Sequence, residues 1–142
     1  MKVYLVDYIG MHCGMHYYND AFCRVLSAVP GLDVSVLSNY AGENDGRPFF
    51  LHQYKGNRLR KICCLLRNYL MLFCFVLRNK KACFVYLAYG NSIDLPFMYI
   101  VSLAKKSIID IHEAIAQNAD DNAGLKRCFR KVQSEPSATV IV

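Results

Sequence analysis

Short apolar runs of strand length alternate along this chain with stretches whose apolar residues recur every three or four positions. The first run, KVYLVDY, is rich in β-branched and aromatic residues and leads into the glycine-bearing turn IGMHCG. From His16 to Val29, residues Tyr18, Phe22, Val25, Leu26 and Val29 keep helical spacing until Pro30-Gly31 stops them. LDVSVLS is a second strand, NYAGENDGRP is dense in turn formers and reads as an exposed loop, and FFLHQY is expected as a short third strand. Residues 58 to 78 place Leu59, Ile62, Cys63, Leu66, Tyr69, Leu70, Phe73 and Leu77 on one stripe, which predicts a long helix resting on a sheet by that stripe. ACFVYLA is a fourth strand. IDLPFMYIVSLA is a helix that Ser92 can cap, with Pro96 tolerated inside its first turn. SIIDI is a fifth strand, residues 114 to 123 a polar loop, GLKRCFRKV a short basic helix and ATVIV a sixth strand.

Parallel neighbours need a crossover, and crossovers are usually helical, so this order predicts an α/β fold: a Rossmann-like parallel sheet of about six strands with helices on both faces. A chain of 142 residues fits one domain, and folding would remove about two-thirds of its unfolded surface from water. Hydrophobic residues at 54% against 20% charged can supply that core and exclude a disordered chain. In such sheets ligands bind at the carboxyl ends of the strands. Three segments therefore should face one crevice: the turn from Gly10 to Gly14, the stretch Tyr89-Gly90-Asn91, and the strand end that carries Asp110, His112 and Glu113.

Each segment admits more than one chemistry. GMHCGMH could cradle a phosphate, since Gly10 and Gly14 allow close backbone approach and the following helix start offers free N–H groups. It is not GxGxxG, and the second strand ends in Ser38-Asn39 where a nicotinamide dinucleotide site supplies an acidic residue, so dinucleotide binding is disfavoured. A tight turn without ligand is the alternative. His12, Cys13 and His16 could reach one ion from a helix start, but no fourth ligand is evident, and ordinary loop residues are the expectation rather than a metal site. In DIHEA the imidazole of His112, with Glu113 and Asp110 beside it, could orient a sugar hydroxyl or steady a phosphate-bearing donor. The plainer reading is a polar strand end hydrogen-bonded locally.

Seven cysteines, Cys13, Cys23, Cys63, Cys64, Cys74, Cys83 and Cys128, form no CxxC and lie mostly in apolar runs, which suggests reduced, buried thiols. The start MKVYLVDYIG is broken by Asp7 too early for a signal peptide, so a cytosolic location is expected. The net charge of +6 favours an anionic partner. Residues 55 to 81 carry eight of the 17 basic side chains and no acidic one, and their longest apolar piece, Tyr69 to Leu77, is too short to span a bilayer. A second face with Arg60, Cys64, Arg67, Asn68, Met71, Phe75 and Arg78, beside Lys61, mixes cations with apolar groups and suits an anionic membrane surface. A crossover helix covered on its far side by other parts of the protein fits equally. Nucleic acid is disfavoured, because no binding motif with aromatic stacking is visible.

The order of pieces, from MKVYLVDYIGMHCGMHYYNDAFCRVLSAVPGLDVSVLS through the long basic helix to FVYLAYGNSIDLPFMYIVSLAKKSIIDIHE and a final apolar strand, resembles the N-terminal, acceptor-side domain of GT-B fold glycosyltransferases. The resemblance is to the retaining group that builds bacterial surface polysaccharides and lipopolysaccharide. It implies transfer of a sugar from a nucleotide-sugar to a cell-surface glycan or lipid-linked acceptor, with no cofactor beyond the donor substrate. It gives His112 a place in the cleft against the transferred sugar, with Glu113 beside it, and gives Gly10 and Gly14 the loop that approaches donor phosphate or acceptor. By position at the same strand ends, Tyr89, Asn91 and Asp110 are acceptor-side candidates. The family's N-terminal domain often rests on the membrane, which would place Arg60, Lys61, Arg67 and Arg78 at the inner face of the cell membrane. Family members hold most of the nucleotide-sugar in a second Rossmann-like domain, and this sequence stops at ATVIV, so the resemblance implies that the isolated chain transfers no sugar. A flavodoxin-like or response-regulator-like binding module for a small anion or a protein partner is the alternative.

Overall fold

The computed structural model describes residues 1–10, 15–40, 48–51, 56–89, 92–111 and 138–141, with Met15, Ile111 and residues 138–141 described by backbone alone. The elements run β1 (Lys2–Asp7), α1 (Met15–Ser27), β2 (Asp33–Ser38), α2 (Arg58–Arg78), β3 (Cys83–Ala88), α3 (Asp94–Ser102), β4 (Lys106–Ile111) and β5 (Ala138–Ile141). The strands form one parallel sheet in the order β2-β1-β3-β4-β5. The α/β class and the Rossmann-like parallel arrangement expected from the sequence are therefore present, with five strands among the described residues rather than six.

Strand alternation sorts the core into two layers. Val3, Leu5, Cys83, Val85 and Leu87 face one side, where Phe22, Cys23 and Leu26 of α1 cover them. Tyr4, Val6, Phe84, Tyr86 and Ile109 face the other, packed by Leu72 and Val76 of α2 and by Phe97, Met98 and Val101 of α3. Both faces are covered by helices, which is why β3 is buried at every position. Gly31, at φ +83°, supplies the left-handed turn between α1 and β2. Asn57 caps α2 by accepting from the Arg60 backbone N–H at 3.0 Å.

The long helix spans the interval expected of it, but its inward face is neither of the two expected: Leu65, Asn68, Tyr69, Leu72, Phe75 and Val76 turn to the core, while Arg60, Arg67 and Arg78 of the expected second face stay exposed. Leu59, Ile62, Leu66, Leu70, Phe73 and Leu77, the stripe expected on the sheet, are 37% to 70% exposed. The buried residues are Asn68, Leu72 and Val76. Two contacts explain the choice. The Asn68 side chain accepts from Leu51 N–H and donates to Leu51 C=O, both at 3.0 Å, and so pairs with that backbone as a neighbouring strand would. Phe75 and Tyr69 then lock the same face, Phe75 edge-on to Tyr4 at 4.9 Å and Tyr69 against Phe97 at 4.5 Å, with the Tyr69 hydroxyl donating to Ile93 C=O at 2.9 Å.

FFLHQY is not a strand over the part described. Phe49 and Phe50 lie in a bend, with Phe50 N–H donating to Ser38 C=O at 2.9 Å and its ring against Phe97 at 5.6 Å. The two rings fill the space between the end of β2 and α2, work that needs aromatic bulk and no ladder. Ser92 is not the cap of α3, whose N-cap position is Ile93 and makes no side-chain cap bond. Pro96 does fall in the first turn. Among the described residues the expectation of buried thiols holds for Cys83 only: Cys23 and Cys64 are half-buried, Cys63 and Cys74 lie exposed on α2, and Cys13 and Cys128 lie outside the described residues.

Candidate functional site

In the order β2-β1-β3-β4-β5 the chain moves outward on opposite sides of β1 and β3, so the crevice between their carboxyl ends is the topological switch point at which doubly wound sheets bind ligands. A hydrogen-bonded cluster fills this point on the α1 side of the sheet. At its centre is Asp7, the last residue of β1, whose side chain is wholly buried. Its Oδ1 accepts from the Ile9 backbone N–H at 3.2 Å and from the Tyr89 hydroxyl at 2.6 Å, and its Oδ2 accepts from Asn19 Nδ2. The Tyr89 bond ties the end of β1 to the residue after β3, 82 positions along the chain. Asn19 Nδ2 also donates to the Tyr40 hydroxyl at 3.0 Å, which brings in the segment after β2. A buried carboxylate without a cation is tolerable only when its lone pairs are filled, and here three donors fill them.

A second carboxylate stands behind the first. Asp94, at the start of α3, accepts from the Tyr86 hydroxyl at 2.7 Å and from the Tyr89 backbone N–H at 2.9 Å, fixing the chain as it leaves β3 and so aiming the Tyr89 ring. Burial, then the Asp94 charge, pushes the Tyr86 phenol well above its ordinary value. Burial likewise takes Tyr40 up to about 12. Both phenols stay protonated throughout the physiological range, Tyr86 donating to Asp94 and Tyr40 accepting from Asn19.

Asp110 joins the same face, since it pairs in register with Leu87 on β3, which belongs to the layer that α1 covers. The Tyr18 hydroxyl bonds to Asp110, and the Tyr18 phenol is pushed up by burial first and by that carboxylate second. His16 Nδ1 and Asn19 Oδ1, both on α1, are buried with no hydrogen-bond partner among the described residues. Cys23 on the same helix has its thiol raised to about 11 by burial and by Asp20, so it is a packing residue.

Of the site residues expected from sequence, Gly10, Tyr89 and Asp110 meet at these strand ends. Gly10 has a local reason: a Cβ there would stand 2.0 Å from Asp7 Oδ2, so the glycine makes room for the buried carboxylate. Gly14, Asn91, His112 and Glu113 lie outside the described residues, His112 following directly on the last residue of β4. His12 and Cys13 also lie outside them, and the described residues contain no cluster of histidine, cysteine or acidic groups able to hold a metal. Arg60, Lys61, Arg67 and Arg78 are all exposed on α2. No described helix is long and apolar enough to cross a membrane. Sequence reasoning missed Asp7, Asn19 and Tyr40 as site residues. The available signal was Asp7 itself, one charge closing an otherwise apolar strand. Comparison with protein-family models, characterised proteins and solved structures gives no match for this chain.

Proposed function

We propose that this chain is the acceptor-side domain of a GT-B-type glycosyltransferase, receiving a sugar or lipid-linked glycan in the crevice between the carboxyl ends of β1, β3 and β4. The observation that carries the reading is the meeting of Tyr89, Tyr18 and Asp110 at the carboxyl ends of these strands, with buried Asp7 holding the Tyr89 hydroxyl in place. Carboxylates and phenols side by side are complementary to the paired donor and acceptor character of sugar hydroxyls. In this reading Asp110 and Tyr89 orient the acceptor, and His112, one residue beyond β4, lines the transfer position with Glu113. The acceptor hydroxyl attacks the anomeric carbon of a nucleotide-sugar, the bond to the phosphate oxygen breaks, and the hydroxyl proton passes to the departing nucleoside phosphate, with that donor held mainly by a second domain in the family resembled.

The strand order 2-1-3-4-5 is also that of flavodoxin-like modules, and this favours a second reading, a non-enzymatic binder of a small anion or of a protein. Electrostatics weighs against the anion, because Asp7 and Asp110 would repel it at the switch point. One assay separates the two. The gene product is incubated with a panel of nucleotide-sugars and glycan acceptors beside a His112→Ala variant, and with inorganic phosphate and flavin mononucleotide in parallel titrations. Turnover that falls at least tenfold in the variant supports glycosyl transfer. Turnover unchanged in the variant removes His112 from the mechanism, and saturable flavin or phosphate binding without turnover selects the second reading.

A further inference from the structure

Beside its cations, the side that α2 turns to solvent carries a continuous apolar stripe. On a helix with 100° between residues, Leu59, Ile62, Leu66, Leu70, Phe73 and Leu77 fall within a sector of about 80°, roughly opposite buried Asn68. Arg60, Arg67 and Arg78 form a row along one flank of that sector, within about 20° of one another. Beyond the last turn the stripe runs into a cavity of about 530 Å³ at the amino end of the sheet, lined by Lys2, Leu77, Arg78, Lys80 and Lys81 among others. Among the described residues only Lys2 of these cations is paired, with Asp33 at 3.9 Å.

We propose that α2 and this cavity form one docking surface for an anionic phospholipid bilayer, with the leucine stripe entering the acyl boundary and the cationic cavity seated over headgroup phosphates. The proposal stands independently of the glycosyl-transfer reading. Charge selects the occupant. Residues 55 to 81 carry eight cations and no acidic side chain, so a second copy docking by the same face would set cation row against cation row. A bilayer offers apolar depth beneath a sheet of negative charge, which matches an apolar sector with a cationic flank. A helix of 21 residues lying flat covers about 31 Å of such a surface.

The native chain provides its own reporters, because Cys63 and Cys74 are exposed at the edge of the stripe and the chain has no tryptophan. A water-soluble maleimide should label both cysteines in free protein. Vesicles with 30% phosphatidylglycerol should slow that labelling several-fold while pure phosphatidylcholine vesicles should not. A Leu70→Trp variant should shift its emission to the blue with the anionic vesicles only. Lys80→Gln with Lys81→Gln should weaken vesicle partitioning by about fivefold per charge removed, as about 1 kcal/mol per surface cation implies. Leu66→Glu with Leu70→Glu, both at exposed positions and checked for folding by circular dichroism, should abolish it. Unchanged maleimide labelling on anionic vesicles overturns the proposal, as does equal binding to neutral and anionic vesicles. Self-association that protects both cysteines without lipid, or vesicle binding that survives the double glutamate variant, overturns it equally.

Discussion

Which face α2 presents to solvent depends on Asn68, and replacing it tests the whole account of the long helix. Asn68→Ala removes two hydrogen bonds of 3.0 Å to the backbone of Leu51 from a site with no solvent exposure. A typical bond contributes about 1 kcal/mol net, and a backbone group left dry costs up to about 3 kcal/mol. The Leu51 side is partly open to water, which holds the total near the lower end, at about 2–3 kcal/mol. At about 3 °C per kcal/mol for a chain of this size, the melting temperature should fall by about 6–9 °C. In urea, with a slope of about 2 kcal/mol/M, the midpoint should fall by about 1–1.5 M at unchanged slope. Asn68→Leu sharpens the test, because it keeps the volume, adds apolar surface and removes only the amide. If the leucine variant equals or exceeds the native protein in urea, apolar packing alone chooses the face and the argument from the Leu51 clamp fails.

Two further outcomes follow from the crevice. Gly10→Ala should destabilise by about 1–3 kcal/mol, since its Cβ would meet Asp7 Oδ2 at 2.0 Å and Tyr40 Cε1 at 3.1 Å; an unchanged melting temperature would show that the carboxylate is not held there. Stability should also decline in alkali: Tyr40 and Tyr69 rise to about 12 in the folded protein, while unfolded phenols release their protons near about 10. Between these values the unfolded state binds fewer protons, so the contribution is complete below about pH 10 and is lost as pH climbs towards 12. A urea midpoint constant from pH 9 to pH 11.5 would refute it.

The strands were legible because each is a short apolar run bounded by turn formers, and four of the six expected were found within about two residues of their expected ends, with a fifth, ATVIV, beginning as expected. The boundaries of α2 were legible too, since its apolar residues keep helical spacing from 58 to 78. The face it buries was not. Hydrophobic periodicity ranks faces by apolar content, and on that measure an asparagine marks the outside. Here the amide is inside because a neighbouring stretch, Phe49 to Leu51, supplies backbone groups that no ladder satisfies. The same stretch defeated the strand expectation, since two phenylalanines look alike whether they pair in a sheet or plug its edge. At the crevice, Tyr89 and Asp110 were found by the topological rule for parallel sheets. Asn19 and Tyr40 could not be, because their role exists only once α1 and the end of β2 close over Asp7.

The two proposals constrain each other through the layering of the fold. A crossover helix runs against its strands, so α2 begins near the carboxyl ends that form the crevice and finishes at the amino end, where Leu77 to Ala82 line one cavity with Met1 and Lys2. With α2 flat on a bilayer the strands lie parallel to the surface and the crevice opens sideways. The polar cluster, however, is on the α1 side of the sheet, and α2 is on the other. Helix and sheet layers are each about 10 Å thick, which lifts Asp7 and Asp110 about 10–15 Å above the helix axis. A sugar attached directly at headgroup level would not reach that height. A glycan carried on a phosphate or a first sugar unit would, so membrane docking by α2 favours a lipid-linked glycan over a simple glycolipid as the acceptor in this crevice.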